Sequence, residues 1–312
     1  MSKWNNRKNT GDQKGFTLIE LMIYVCISSI VLTAVYTVFK GQQKTYTNQQ
    51  GVVDMQENLR AGMYYLTREV RLAGYEAQGV ASVAGIVQAG PGKFHFTMDI
   101  FDDVDDDGDG IIENDPDEIG FNDDLVDNPG EEIIYALVND ADEDGFPDSL
   151  TAWGTPQPAV LARTDVFGAG TADALMENVE AIAFAYAFDK DNDGKVEFTD
   201  LNGNGQRDAG EPIIWAIDTD NDKWLDTILD TNTDGNIDTS DTLGGAVLAS
   251  TDRVNVDSIR MVRIWMLVRS PIRDNTFRDQ GTYVVGNKRL VVDDSYRRRL
   301  LAASVVCRNM GG

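Results

Sequence analysis

Residues 16–39, FTLIELMIYVCISSIVLTAVYTVF, form an apolar run broken by one charge, Glu20. At about 1.5 Å per residue, a helix of this length crosses a bilayer. The stretch before it is polar and basic, with Lys3, Arg7, Lys8 and Lys14 against Asp12, which predicts a cytoplasmic flank and places residues after 40 on the far side. Beyond Lys40, the apolar positions Val52, Met55, Leu59, Met63, Leu66 and Val70 recur at spacings of three and four and make one helical stripe. Gly74 follows the last turn as a C-cap. A continuous helix from Phe16 to Ala73 would be about 87 Å long, its first half in lipid or against neighbouring chains and its second half laid on a globular head. Gly41, Gly51 and Gly62 each cost roughly 1 kcal/mol in a helix interior, which predicts bending or fraying near residues 41–51.

Past the helix the period changes from 3.6 to 2. In Lys93–Ile100 the residues Phe94, Phe96, Met98 and Ile100 fall on one face, and His95, Thr97 and Asp99 on the other. His95 is therefore expected to face solvent. Further strands are expected at Glu132–Val138, Ala159–Arg163, Val179–Phe188 and Val256–Val268, with one or two more between Tyr283 and Val306. One long transmembrane and amphipathic helix followed by many strands predicts an α+β fold, the helix packed on an antiparallel sheet.

Charge changes the picture in the middle of the chain. The 312 residues carry a formal net charge of -25, and 40 of the 52 acidic residues lie between Asp99 and Asp241, against five basic ones. From Asp252 onward the balance reverses to twelve Arg and Lys against six Asp. Such a surface excludes a nucleic-acid partner, because phosphate binding needs a basic face. Cys26 lies in the apolar run and Cys307 near the C-terminus, so no intrachain disulfide is expected between them. A single histidine removes most catalytic triads and histidine zinc sites. No catalytic residue is assigned, and the chain is not expected to be an enzyme.

A carboxylate within a membrane span needs a partner and marks a functional position. The string Lys14-Gly15-Phe16-Thr17-Leu18-Ile19-Glu20-Leu21 resembles the type III signal of type IV prepilins and pseudopilins. That resemblance implies cleavage by a membrane prepilin peptidase after Gly15 and methylation of the new N-terminus at Phe16. It also implies pairing of Glu20 with the N-terminal amine of a neighbouring subunit. The organisation is then a leader at 1–15, a pilin helix at 16–74 with 16–39 in the membrane, and a β-rich head at 75–312 with acidic inserts near 99–150 and 188–252.

Three further stretches narrow the likeness. Met63-Tyr64-Tyr65-Leu66-Thr67-Arg68-Glu69-Val70-Arg71-Leu72-Ala73-Gly74-Tyr75 is the first and Leu175–Ala181, running on to Tyr186, the second. The third is Val262–Ser270, with the closing Tyr296-Arg297-Arg298-Arg299 and Cys307-Arg308-Asn309. In their order and spacing they resemble the PilW family of minor pilins, related to the J-type pseudopilins of type II secretion. The acidic inserts depart from that family's core.

Those inserts are chemically explicit. Asp200, Asn202, Asn204, Gly205, Gln206, Asp208 and Glu211 complete the pattern D-x-[DN]-x-[DN]-G-x5-E. Oxygens at positions 1, 3, 5 and 12, with the backbone carbonyl of position 7, can enclose Ca²⁺. Asp189, Asp191, Asp193, Lys195, Glu197 and Asp200 repeat it, with Asp200 closing one loop and opening the next. Asp230, Asn232, Asp234, Asn236, Asp238 and Asp241 repeat it again. Asp218, Asp220 and Asp222 belong to a degenerate copy, Asp218–Asp226, with Lys223 in the glycine position. Two more clusters, at Asp103, Asp105, Asp107 and Asp109 and at Asp140, Asp142 and Asp144, lack a clean twelfth ligand. No flanking EF-hand helices are evident, and by motif the loops look like those of dockerin-like or thrombospondin-type repeats. Hard oxygens favour calcium over zinc or iron; the alternative is a set of solvated acidic loops, disordered by mutual repulsion.

By this resemblance the expected function is that of a minor pilin. It would prime type IV pilus assembly, and its place would extend to the filament tip, with a calcium-stabilised head. Its partners would be other minor and major pilins, the prepilin peptidase and the inner-membrane assembly platform. It would begin in the inner membrane with its head in the periplasm and end in the surface pilus. A pseudopilin of a type II secretion system and a tip adhesin are the alternatives.

Overall fold

The computed structural model describes residues 15–75, 84–98, 130–149, 157–166 and 172–310. The leader before Gly15 and the cluster at Asp103, Asp105, Asp107 and Asp109 lie outside the described residues. The chain divides into two units, Met1–Gln50 and Gly51–Gly312.

In the first unit, one helix, α1 (Leu18–Val70), begins. Its apolar side chains up to Phe39 are exposed, and its richest window has a mean hydropathy of 2.3, long and apolar enough to cross a membrane. The hydroxyls in this stretch turn back onto the helix. Ser29 donates to the Cys26 carbonyl at 2.8 Å, Thr33 to Ser29 at 2.7 Å and Thr37 to Thr33 at 2.8 Å, so no hydroxyl among these three is left for lipid to solvate. The expected fraying near 41–51 is not found, and α1 runs through Gly41 and Gly51 without a break. A glycine weakens a helix but keeps its N–H and C=O, and the Thr45 and Thr47 hydroxyls add bonds to the Gly41 and Gln43 carbonyls.

In the second unit, α1 buries Met55, Leu59, Gly62, Met63, Leu66 and Val70, with Val52 packed at the edge of the core. This is the stripe the spacing predicts. After Val70 the chain turns, and Gly74 takes φ +72, the left-handed conformation in which a side chain is strained. Its N–H donates to the Thr97 carbonyl at 2.9 Å.

The strands of this unit, in chain order, begin with β1 (Ile86–Ala89), β2 (Phe94–Thr97), β3 (Glu132–Leu137), β4 (Ala159–Asp165) and β5 (Ala172–Phe188). Five short ones follow: β6 (Ala216–Ile217), β7 (Trp224–Leu225), β8 (Thr227–Ile228), β9 (Ala246–Val247) and β10 (Val254–Asn255). The last four are β11 (Ile259–Arg269), β12 (Thr282–Val285), β13 (Lys288–Val291) and β14 (Arg298–Val306). Ten of them form one sheet in the order β1-β2-β3-β4-β5-β6-β8-β9, with β11 on β5 and β14 on β11. Each of its pairings is antiparallel. The pairs β7–β10 and β12–β13 stand apart as two-stranded sheets.

β5 is the spine. From Val179 to Phe188 every residue is buried, and large side chains alternate with alanine. Phe184 and Tyr186 meet Phe94 with ring centroids 5.7 Å away, and the Tyr186 hydroxyl donates to the Gly90 carbonyl at 3.0 Å. On the alanine face the β12–β13 turn comes so close that a side chain on Gly286 would sit 2.6 Å from the Ala183 methyl. β5 starts earlier than the alternation suggests, because residues 172–178 pair with β4 while their side chains are largely exposed. β11 starts later, at Ile259, because the Asn255 side chain accepts the Asp257 N–H at 2.9 Å and winds Val256–Ser258 into a 3-10 turn.

One correction and two further findings concern polar side chains in strands. His95 does not face solvent; it is half-buried, 2.7 Å from a Glu132 carboxylate oxygen on β3, a diagonal cross-strand neighbour. Burial holds its pKa below the usual value, against the pull of Glu132. Arg263 lies between Trp215 and Trp265, 5.7 and 4.9 Å from the ring centroids, where its stem is desolvated and its charge meets π faces. Arg269 is buried on Glu180 at 3.2 Å. Glu180 also takes Arg298 at 3.0 Å, and Arg298 reaches Asp294 at 2.7 Å and Asp279 at 3.3 Å. The second and third stretches singled out in the sequence thus meet in one buried ion network, linking β5, β11 and β14. From the first stretch, Glu69 accepts from Arg163 on β4 at 3.0 Å and from the Tyr135 hydroxyl at 2.5 Å.

Candidate functional site

Gly15 and Phe16 precede α1, with Phe16 exposed. At the first turn Glu20 accepts from the Thr17 N–H at 3.2 Å and from its hydroxyl at 3.1 Å, while the Glu20 N–H donates to the Thr17 hydroxyl at 3.3 Å. This is a capping box: N-cap and third-residue side chains satisfy each other's orphan donors. Thr17 was not singled out above, although its spacing to Glu20 is legible in the sequence.

Among the described residues, the acidic segments occupy connections between β3 and β9. The first joins β3 to β4, two lie between β5 and β6, one between β6 and β8, and one between β8 and β9. They begin at Asp140, Asp189, Asp200, Asp218 and Asp230, and they share one backbone. Position 6 is left-handed in all five, at Gly145, Gly194, Gly205, Lys223 and Gly235, as is position 4, at Glu143, Asn192, Gly203, Asn221 and Thr233. The first carboxylate accepts the position-6 N–H at 2.8 to 3.0 Å in each. The position-7 N–H, which includes Lys195, Gln206 and Asn236, donates to the position-5 side chain in each. The degenerate copy at Asp218 is therefore built like the others, with Lys223 forced into the conformation glycine adopts elsewhere.

The loops differ in how they close. In the 200 and 230 loops the position-12 carboxylate does it: Glu211 accepts from the N–H of Leu201 and Asp208, and Asp241 from those of Thr231 and Asp238. In the other three loops an acid at position 9 accepts the position-2 N–H. These are Asp148 from Ala141, Glu197 from Lys190 and Asp226 from Thr219. Asp200, expected to close the loop at Asp189, instead directs its carboxylate at Asn202, Gly203 and Gly205 within its own loop. Asp148 and Asp226, which end their clusters in the sequence, are thus the carboxylates that close those loops, and an acid at position 9 recurs in all five.

Burial and charge accompany this geometry. Asp189, Asp218, Asp230, Glu211, Asp226 and Asp241 are buried, and Asp200 is exposed. Burial pushes the Asp140 carboxyl up to about 7 and the Asp218 carboxyl up to about 6. The Gly205 N–H, with other loop amides, holds Asp200 below the ordinary range. Lys195 does the same for Asp193, and the Ser240 N–H for Asp238. In three loops one oxygen each from positions 1, 3 and 5 converges to within 4.8 Å of the others: Asp140, Asp142 and Asp144; Asp189, Asp191 and Asp193; and Asp218, Asp220 and Asp222. In the 200 and 230 loops position 3 is an amide. Asn202 and Asn204 both donate to Asp208 at 2.7 Å, and Asn232 donates to Asp234 at 3.0 Å. All these donors are hard oxygens, the class that suits Ca²⁺ or Mg²⁺ and not zinc.

Comparison with known proteins adds two findings. Residues 11–36 match the prokaryotic N-terminal methylation motif. A type IV-like pilin from Thermus thermophilus superposes over 82% of this chain and 98% of its own, at 12% identity and a TM-score of 0.36. No curated protein matches the chain.

Proposed function

We propose that this type IV pilin-like chain, with the methylation motif of prepilins at its N-terminus, is a PilW-like minor pilin that helps to prime pilus assembly and reaches the filament tip. The observation that carries the reading is the motif at 11–36 running directly into the exposed apolar half of α1. Cleavage after Gly15 frees the Phe16 amine. The apolar helix holds the chain in the inner membrane with the head in the periplasm, and then packs among other minor and major pilins. Glu20 supplies the carboxylate that meets a neighbour's N-terminal amine; its capping bonds to Thr17 fix where that carboxylate stands. The inner-membrane assembly platform and the prepilin peptidase are the remaining partners. The role is one of assembly, without catalysis.

In the same reading, the loops beginning at Asp189, Asp200 and Asp230 take calcium, which stiffens the exposed head. The support is their common backbone and the side-chain oxygens, carboxylate or amide, that each offers at positions 1, 3 and 5. Extracellular calcium modules bind with Kd of about 10⁻⁴–10⁻³ M, so such sites fill outside the cell. The test is Glu20→Ala in the producing cell: insertion and cleavage are expected to persist while incorporation into the pilus machinery falls sharply. Normal piliation and normal co-purification with other minor pilins would refute the assignment.

A further inference from the structure

Basic side chains from elsewhere in the fold reach these five loops unevenly. Lys288, the first residue of β13, sets its ammonium against Asp144 in the 140 loop, 5.7 Å from the centroid of the Phe146 ring. Arg253, just before β10, donates to Asp222 at 3.0 Å and lies 3.7 Å from Asp220 in the 218 loop. These are the carboxylates of positions 3 and 5, which would otherwise turn toward an ion. The 200 and 230 loops have no such direct pair among the described residues; in the second, Arg289 donates to the carbonyls of Thr239 and Asp241, and the charges of Arg289 and Arg263 act on Asp238 and Asp230 without an ion pair. In the 189 loop the contacts are looser, with Arg260 3.7 Å from Asp189 and the exposed Lys195 on its own neighbour Asp193.

The same two loops are tied into the main sheet. Ile182 of β5 donates to the Gly145 carbonyl at 2.9 Å, and Asp218 donates to the Ala89 carbonyl of β1 at 3.3 Å. Were they to open, central strands would lose partners. A loop that must be folded wherever the sheet is folded cannot wait for an ion whose concentration varies. A cation on the same chain is always present at high effective concentration, and like charges held this close need one.

We propose that Lys288 and Arg253 are built-in cations that hold the 140–148 and 218–226 loops folded without metal, whereas the 200–211 and 230–241 loops require an ion. The second half of this statement rests on the calcium reading above; the first half does not.

Hydrogen exchange on the full-length chain in detergent, with chelator or with millimolar calcium, separates the two. Peptides covering 140–148 and 218–226 are expected to be equally protected in both conditions, and those covering 200–211 and 230–241 to gain protection only with calcium. In chelator, Lys288→Met, which keeps the stem and removes the charge, should lose about tenfold in protection at 140–148, and Lys288→Arg should retain it. Arg253→Met and Arg253→Lys should behave in the same way at 218–226. The proposal is overturned if wild-type 140–148 in chelator is as open as 200–211, a comparison that needs no variant to fold. It is also overturned if Lys288→Met leaves 140–148 unchanged. If calcium protects no loop while the Lys288 and Arg253 effects persist, the calcium reading fails and the built-in cations stand.

Discussion

Lys223 occupies, at φ +69, the position that glycine holds in the other four loops. A side chain in the left-handed region costs about 1–2 kcal/mol, partly offset because glycine is freer in the unfolded chain. Lys223→Gly is therefore expected to stabilise the head by about 1 kcal/mol, a rise in Tm of roughly 2–4 °C for a domain of this size; a fall would contradict the strain. Cys307 is buried, and burial pushes its thiol up to about 12. In a Cys26→Ser variant the native chain should show no thiol labelling near neutral pH until it is unfolded, whereas rapid native labelling would show that the site opens. The first, third, fifth and sixth positions of the loops were legible because each needs one chemistry at fixed spacing. Which acid closes a loop was not, since closure at position 9 or at position 12 depends on where the flanking strands leave the chain. His95 was misplaced for a similar reason: alternation assigns a face but cannot show a diagonal partner such as Glu132.

Among the elements, α1 and the hydrophobic runs of β5 and β11 announce themselves by period, because burial on one face repeats at the pitch of the backbone. Their ends do not. The start of β5 pairs with β4 through backbone alone, and the start of β11 is set by the Asn255 cap. Also hidden was the ion network joining β5, β11 and β14, since Glu180, Arg269 and Arg298 look like solvent-facing charges in the sequence. The side chains of Arg298 and Glu180 are fully buried, and removing one member leaves the others desolvated and unpaired. Arg298→Met is expected to cost about 3–5 kcal/mol in chemical unfolding, with part of the loss recovered by adding Glu180→Leu. A loss under about 1 kcal/mol would mean the network behaves as a surface pair. On the helix, Leu66→Ala should cost about 2–5 kcal/mol, because Leu66 is fully buried in the head.

At the scale of the whole molecule, an N-terminal methylation motif precedes a head whose acidic loops we propose to take calcium. In millimolar calcium the chain in detergent is expected to melt at a higher temperature than in chelator, since an ion at about one to ten times its Kd adds about 0.4–1.4 kcal/mol per site. Asp200→Ala should remove the calorimetric heat of one site, because its carboxylate serves only the 200–211 loop; loss of two would restore a shared ligand. Identical melting in calcium and chelator would reduce the loops to acidic surface. Intact-mass and N-terminal analysis of the protein from its own cells tests whether the chain is made as a prepilin. The expected product begins at Phe16, lacks residues 1–15 and carries one methyl group on its N-terminal amine. A chain that retains Met1 to Gly15 in cells with an active prepilin peptidase would contradict it.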